Sequence, residues 1–315
     1  MVSLPASRAS NDAFVGIMWK VLSALVFTVM LVLVKIAGER IPVGQLLFTR
    51  SLFGMIPVLL FIWWIGHLGD ALATRSVSGH VKRAMSGMLA MGLWFMALQH
   101  LSLPEATAIV YAAPLIMVIF AATVLRETVR IYRWSAVLVG MVGVGVILAP
   151  QISAGFDVME DAAAFGAALA LCSAVFMALT SVFVRQLARQ EPGYTIVLYF
   201  LIASTAVTAL TFPTWVVPSW TDFGLMVAIG IIGGIGQLFL TQAFRHAEAS
   251  TIAPFEYTSM IWVVAAGYIV FDEIPTWNVA VGAVIVIASG IYVIYRERQL
   301  GLRRAERELG ATLRP

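Results

Sequence analysis

Long apolar runs recur along the chain, each about 20 residues long and separated by short polar stretches. A helix of about 20 apolar residues spans the hydrocarbon core of a bilayer. The linkers between the runs carry Pro, Gly and charge, and none is long enough for a soluble domain. The pattern therefore predicts an all-α membrane protein with ten transmembrane helices, at residues 16–38, 43–65, 84–101, 105–125, 133–149, 162–184, 194–213, 223–243, 250–271 and 277–295.

The second half of the chain repeats the first. Residues 97–148 return as residues 243–294, and the scarce polar positions coincide: His100 with His246, Tyr111 with Tyr257, and Glu127 with Glu273. At another offset, Lys35 and Pro42 match Arg185 and Pro192. Because five helices per half is an odd number, the second half enters the membrane from the opposite face. We therefore expect two inverted five-helix repeats, at 1–150 and 151–295, followed by a basic tail at 296–315.

Charge placement predicts the orientation of the helices. Only 12% of the residues are charged, about half of what soluble proteins carry, and 61% are hydrophobic. With a cytoplasmic N-terminus, every Lys and Arg except Lys35, Arg40 and Arg50 lies on the inner side. Both termini are then expected in the cytoplasm, and the protein is expected in the inner membrane. This charge placement also explains the basic pI without nucleic acid, and the first twelve residues show no cleavable signal peptide.

The strongest candidate for solute chemistry is Glu256, an acidic residue inside the ninth predicted helix. Placing a lone charge at this depth in the membrane costs free energy, so the side chain faces a partner or a water-filled cavity. The functional interpretation is a carboxylate that binds an ammonium group or carries a proton, and the alternative is a structural ion pair. Arg50, in the second helix, is the expected counter-charge, with either an architectural or a coupling role.

A cavity is expected between the repeats. Tyr111 and Tyr257 occupy equivalent faces of the fourth and ninth helices, which line the cavity or pack against other helices. The other predicted lining residues come from the third and eighth helices, with Met91, Trp94 and Phe95 as an apolar wall and Gln237 and Thr241 as hydrogen-bonding groups. Glycines near Gln237 are expected to bring helices close together.

Three segments carry a resemblance to a known family. AAPLIMVIFAATVLRE, VGMVGVGVILAP and VFDEIPTWNVAVGAVIVIASGIYVIYR resemble the EamA domain of the drug/metabolite transporter superfamily, which would occur twice here. The first half departs from the pattern, with Leu125 and Arg126 where a Gly usually precedes the Glu. The resemblance implies a carrier of metabolites, similar to bacterial exporters of aromatic and neutral amino acids. It also commonly places a basic residue near Arg50.

These observations predict a secondary transporter that exports small zwitterions, above all amino acids. The alternatives are an uptake carrier for nucleosides or S-adenosylmethionine-like compounds and a membrane scaffold that moves no solute. The four His have no metal-ligand spacing, and no catalytic or nucleotide-binding motif has its proper context. We therefore expect no enzyme activity, no metal and no cofactor. The expected partners are a small-molecule substrate and the lipid bilayer, in a monomer or homodimer.

Overall fold

The protein is helical throughout the part of the chain that the structure describes. The computed structural model describes residues 6–123, 131–153, 161–188, 190–246 and 253–312, and contains no strand within them. Its α-helices are α1 (Ala6–Gly38), α2 (Val43–Trp64), α3 (Val77–Ala97), α4 (Leu103–Val110), α5 (Ala113–Thr123), α6 (Ile131–Ile147), α7 (Ala149–Ser153), α8 (Ala162–Leu187), α9 (Gly193–Thr208), α10 (Trp220–His246), α11 (Ser259–Phe271) and α12 (Trp277–Thr312).

Each of the ten predicted spans coincides with helical structure. Seven described segments are long and apolar enough to cross a membrane, and α6 and the segment Phe255–Phe271 are shorter apolar helices. The remaining predicted span corresponds to α3, whose first turns carry His80, Lys82 and Arg83. Lys82 and Arg83 lower the hydropathy of α3, and the helix begins seven residues before the predicted boundary.

The fourth and ninth spans are not single α-helices. The fourth is interrupted at Tyr111 and Ala112, and Pro114 lies in the first turn of α5, where the missing N–H costs no hydrogen bond. The ninth begins with a 3-10 helix, Ala253–Thr258, which leads into α11. Glu256 therefore lies on a 3-10 turn, and the prediction that it sits inside an α-helix is wrong.

Helices from the two halves pack against each other. The closest pairs are α1 with α10, α3 with α8, and α6 with α12. Glycines permit this approach: a Cβ at Gly143 on α6 would lie 2.9 Å from the carbonyl oxygen of Gly282 on α12. Likewise, a Cβ at Gly234 on α10 would lie 2.6 Å from the carbonyl oxygen of Gly54 on α2. The expected role of the α10 glycines in close helix packing is thus confirmed at Gly234.

Candidate functional site

The two repeat-related tyrosines meet where the halves join. The rings of Tyr111 and Tyr257 pack edge to face, with centroids 5.3 Å apart, and both side chains are buried. The Tyr111 hydroxyl is hydrogen-bonded to Ser259 Oγ at 2.6 Å. The Tyr257 hydroxyl lies so close to Gly290 that a Cβ there would be 1.8 Å from it. In this conformation the two rings are in contact with each other and closed off from solvent.

The predicted apolar wall divides into two parts. Phe95 has no exposed surface and belongs to the main hydrophobic core. Met91 is half-buried and packs against both hydrophobic clusters of the molecule, so it lies between them. Trp94 is also half-buried, and its indole Nε1 has no hydrogen-bond partner in the described part of the chain. Met91 and Trp94 are therefore the wall residues that keep some exposed surface.

The predicted polar groups of α10 lie one turn apart. The Thr241 hydroxyl donates to the main-chain oxygen of Gln237 at 2.9 Å. The Gln237 side chain is half-buried, and no described residue forms a hydrogen bond with its amide group. Of these two residues, Gln237 retains both a donor and an acceptor for a ligand.

Glu256 forms an ion pair with Lys20 of α1, and the expected pair with Arg50 does not form. The Lys20 side chain is only 7% exposed, whereas that of Glu256 is 53% exposed. The 3-10 turn carrying Glu256 packs against α1, which brings it to Lys20. Arg50 instead lies on α2, where its Nε would be 3.3 Å from a Cβ at Gly233 of α10.

A second buried cation accompanies Arg50. Arg83 of α3 lies over the ring of Phe200 on α9, with its guanidinium carbon 3.7 Å from the ring centroid. The guanidinium carbon of Arg50 is 5.9 Å from the same centroid. Arg83 was not predicted as a site residue, because it lies just before the predicted third span, among the charges assigned to an inner loop. The only sequence feature that could have indicated Arg83 is its position directly before that span.

A polar network ties the two halves together at the predicted outer end. Lys35, at the end of α1, forms an ion pair with Glu273, which follows α11. Lys35 also donates to the carbonyl oxygen of Leu101 at 2.8 Å, and the N–H of Leu103 donates to Glu273 at 2.7 Å. Glu127, the repeat partner of Glu273, lies outside the described residues. The network joins α1, the start of α4 and the end of α11.

A second outer contact joins the α1–α2 turn to the start of α10. Arg40 and Asp222 form an ion pair at 2.9 Å, and Ser219 also donates to Asp222 at 2.7 Å. Gln45 exchanges two hydrogen bonds with the backbone of Val216, at 2.9 and 3.1 Å. The predicted outer end is therefore held by side chains from both halves.

A separate buried cluster surrounds Glu191 at the predicted inner end. Glu191 accepts hydrogen bonds from the Thr74 hydroxyl at 2.5 Å and the Arg75 N–H at 2.8 Å, and lies 3.1 Å from His80 Nε2. Burial alone would raise the pKa of Glu191, but these hydrogen bonds outweigh it and hold the pKa below its ordinary value. The cluster joins the α2–α3 loop to the α8–α9 turn. Nearby, a groove of about 310 Å³ between α3 and α8 lies away from the predicted cavity residues.

The sequence of this helical chain matches a known family. The profile of the EamA-like transporter family matches residues 14–149 and again residues 164–296. The chain belongs to the EamA-like transporter family. It is therefore a transporter, not an enzyme, and a multi-pass membrane protein.

Three relatives show how widely solutes differ among EamA-like transporters. The pseudopaline exporter of Pseudomonas aeruginosa is 32% identical over 278 residues, which cover 88% of this chain and 94% of that protein. The S-adenosylmethionine uptake transporter of Rickettsia prowazekii is 27% identical, covering 90% and 94%. The riboflavin transporter of Vibrio cholerae is 25% identical, covering 91% and 95%. A solved crystal structure shares the fold, with a TM-score of 0.59 and 21% identity over 94% of this chain and 99% of that one.

Proposed function

We propose that this EamA-like transporter is a secondary carrier that exports small zwitterionic solutes, above all amino acids, by alternating access. The observation that carries the proposal is the closure of the outer end by side-chain contacts between the halves, chiefly Lys35 with Glu273 and Arg40 with Asp222. Alternating access requires an end that closes and reopens, and ion pairs at helix ends can be exchanged for water without unfolding a helix. A contact that only stabilised the fold would be at least as stable with apolar side chains, because burying an ion pair costs desolvation energy.

The repeats and the orientation belong to the same proposal. We assign residues 1–150 and 151–295 to two inverted five-helix units, with residues 296–315 as a cytoplasmic tail. The packing of α1 on α10 and of α3 on α8 supports this assignment, because the proposed symmetry exchanges the two pairs. Both termini then lie on the cytoplasmic side of the inner membrane. Alkaline phosphatase fused after Arg83 or at the C-terminus should be inactive, and activity at either fusion point would contradict this orientation.

Glu256 and Gln237 are the polar groups that we assign to the solute. Glu256 is paired with Lys20 but half exposed, so a substrate ammonium group can take the place of the Lys20 ammonium. The unpaired Gln237 amide suits a polar group of the same solute, with Met91 and Trp94 against its apolar part. Tyr111 and Tyr257 would then hold the two halves together through their ring contact, with hydroxyl groups that reach the solute only when this interface opens.

Replacing Glu256 tests this assignment. Glu256→Gln removes one charge-assisted hydrogen bond to an ammonium group, and we expect amino-acid binding to weaken by roughly ten- to a hundred-fold. Glu39→Gln, which removes an exposed carboxylate from the α1–α2 turn, is the matched control and should behave like the wild type. Binding is measured by competition in proteoliposomes. Normal amino-acid transport by Glu256→Gln would contradict ammonium binding at this residue.

Uptake of S-adenosylmethionine or nucleosides is the second candidate function. It is favoured by the similarity to S-adenosylmethionine uptake transporters and by Trp94, an aromatic surface on which a purine can stack. The same competition assay separates the candidates with a panel of amino acids, nucleosides and S-adenosylmethionine. Inhibition by the adenine-bearing compounds alone would replace amino-acid export with this second function.

A further inference from the structure

Two buried arginines from different helices share one aromatic ring near the centre of the molecule. Arg50 is 3% exposed and Arg83 is 8% exposed, and both lie over Phe200. Glycines make room for them: a Cβ at Gly87 would lie 2.8 Å from Arg83 Nη1, and one at Gly233 would lie 3.3 Å from Arg50 Nε. Glycine at these two positions therefore leaves room for both guanidinium groups.

Neither arginine has a described counter-ion. The Nε and Nη1 atoms of Arg50 and of Arg83 are buried and have no hydrogen-bond partner among the described residues. Described carboxylates that form ion pairs are engaged by other groups: Glu191 by His80, Asp222 by Arg40, Glu256 by Lys20 and Glu273 by Lys35. Two buried cations that repel each other and lack an acceptor are unfavourable unless a ligand supplies one.

The chemistry of the site specifies the missing acceptor. A guanidinium group is a planar fork of donors that binds a carboxylate through two parallel hydrogen bonds. Two forks provide for two carboxylates, and the Phe200 ring, over which both guanidinium groups lie, keeps the two forks side by side. Resting on the proposed function, we propose that Arg50 and Arg83 bind the substrate's carboxylates and that the preferred solute carries two of them.

This dicarboxylate site is separate from Glu256. Met30 of α1 lies beside the Arg50 site, since its sulfur would be 2.8 Å from a Cβ at Gly233. Lys20, the partner of Glu256, precedes Met30 by ten residues, which is about 15 Å along the helix. The ammonium and carboxylate groups of a free α-amino acid are bonded to the same carbon, so one amino-acid molecule engages the two sites one after the other and never both at once. The two sites are therefore tested independently.

Ligand-induced thermal stabilisation of the purified full-length protein tests the site without transport. The probes are glutarate and pentanoate, which have the same five-carbon chain and differ by one carboxylate. Glutarate should raise the melting temperature, and pentanoate should bind about tenfold or more weakly, because it leaves one guanidinium unpaired. Equal affinity for glutarate and pentanoate would overturn the proposal, as would equal affinity for inorganic phosphate.

Substitutions distinguish a ligand site from an architectural one. Arg50→Met and Arg83→Met should each weaken glutarate binding about tenfold or more, while the ligand-free protein melts at the wild-type temperature or above it, because an unpaired buried charge is gone. Arg75→Met, which removes an exposed arginine near the same end of α3, is the control and should bind glutarate normally. Arg83→Lys keeps the charge but loses the fork, so it should fold and bind weakly. Wild-type glutarate affinity in either Met variant, or in Arg83→Lys, would overturn the proposal.

A transport assay separates failure of this site from failure of the proposed function. Glutamate and glutamine are matched in size and differ by one carboxylate, and we expect glutamate to be preferred in proteoliposomes. Equal flux of the two, unchanged by Arg83→Met, would leave amino-acid transport standing and overturn the dicarboxylate site. Specific glutarate binding without any amino-acid flux would leave the site standing and contradict the proposed transport.

Discussion

Adding one methyl group to Gly143 should weaken the contact between α6 and α12. The new Cβ would lie 2.9 Å from the carbonyl oxygen of Gly282 and 2.9 Å from Val286 Cγ2, and 3.0 Å from the Cβ of Ile285. The carbonyl belongs to the backbone and cannot rotate away, so the two helices must separate. A gap of about 0.5–1 Å forfeits a quarter to a half of the dispersion energy of the contacts affected.

The free energy of unfolding should therefore fall in Gly143→Ala. Overpacking lowers the free energy of unfolding by about 1–3 kcal/mol, and the better helix propensity of Ala offsets at most about 1 kcal/mol of this loss. Gly145→Ala is the matched control on the same helix, because a Cβ at Gly145 meets no atom within 4 Å. It should be neutral, or stabilising by up to about 1 kcal/mol. We expect a difference of about 2 kcal/mol between the two variants.

Unfolding of the purified protein in mixed micelles, with increasing fractions of a denaturing detergent, measures this difference. Gly143→Ala should unfold at a lower denaturant fraction than the wild type, and Gly145→Ala at the same or a higher one. Equal midpoints for both variants would refute the close α6–α12 contact. Gly282→Ala should repeat the result from the other helix, where the new Cβ would lie 2.6 Å from the carbonyl oxygen of Gly143.

Two further predictions concern the ends of the molecule. Glu273→Gln removes the partner of Lys35, so the outer end should open more often. Opening is measured with a cysteine introduced at buried Thr107 in a Cys172→Ser background, which should then react faster with an impermeant maleimide. An unchanged reaction rate would contradict closure by this ion pair. Glu191→Gln should lower the melting temperature at neutral pH. Because the folded pKa of Glu191 lies below its ordinary value of 4.5, this difference should shrink as pH falls below that value, and a difference that grows there would contradict the cluster.

Helix positions were predictable because one apolar run determines one helix. The predicted starts and ends of α2 differ from the observed ones by one residue at most, and α1 ends at Gly38 as predicted. The repeat also assigns Tyr111 and Tyr257 equivalent places, although their contact was not predicted. Both inferences use information that is local in sequence or internal to the repeat.

The partners of charged residues were not predictable in the same way. Glu256 and Lys20 are 236 positions apart, and apolar patterns do not reveal which helices are neighbours. The only basis for pairing Arg50 with Glu256 was that both lie within predicted spans. The site around Arg83 was missed for a related reason: its pairing with Phe200 depends on α3 and α9 packing together, which no single segment encodes.

Counterflow in proteoliposomes tests the central claim, that this protein is a secondary carrier of amino acids. Proteoliposomes preloaded with unlabelled glutamate, glutamine or phenylalanine are diluted into the same amino acid in labelled form. The transient accumulation of label is compared with that in empty vesicles, which contain no protein. We predict accumulation above the level of empty vesicles, because a carrier exchanges solute across the membrane without another energy source. Accumulation equal to that in empty vesicles, with protein shown to be folded, would contradict the account.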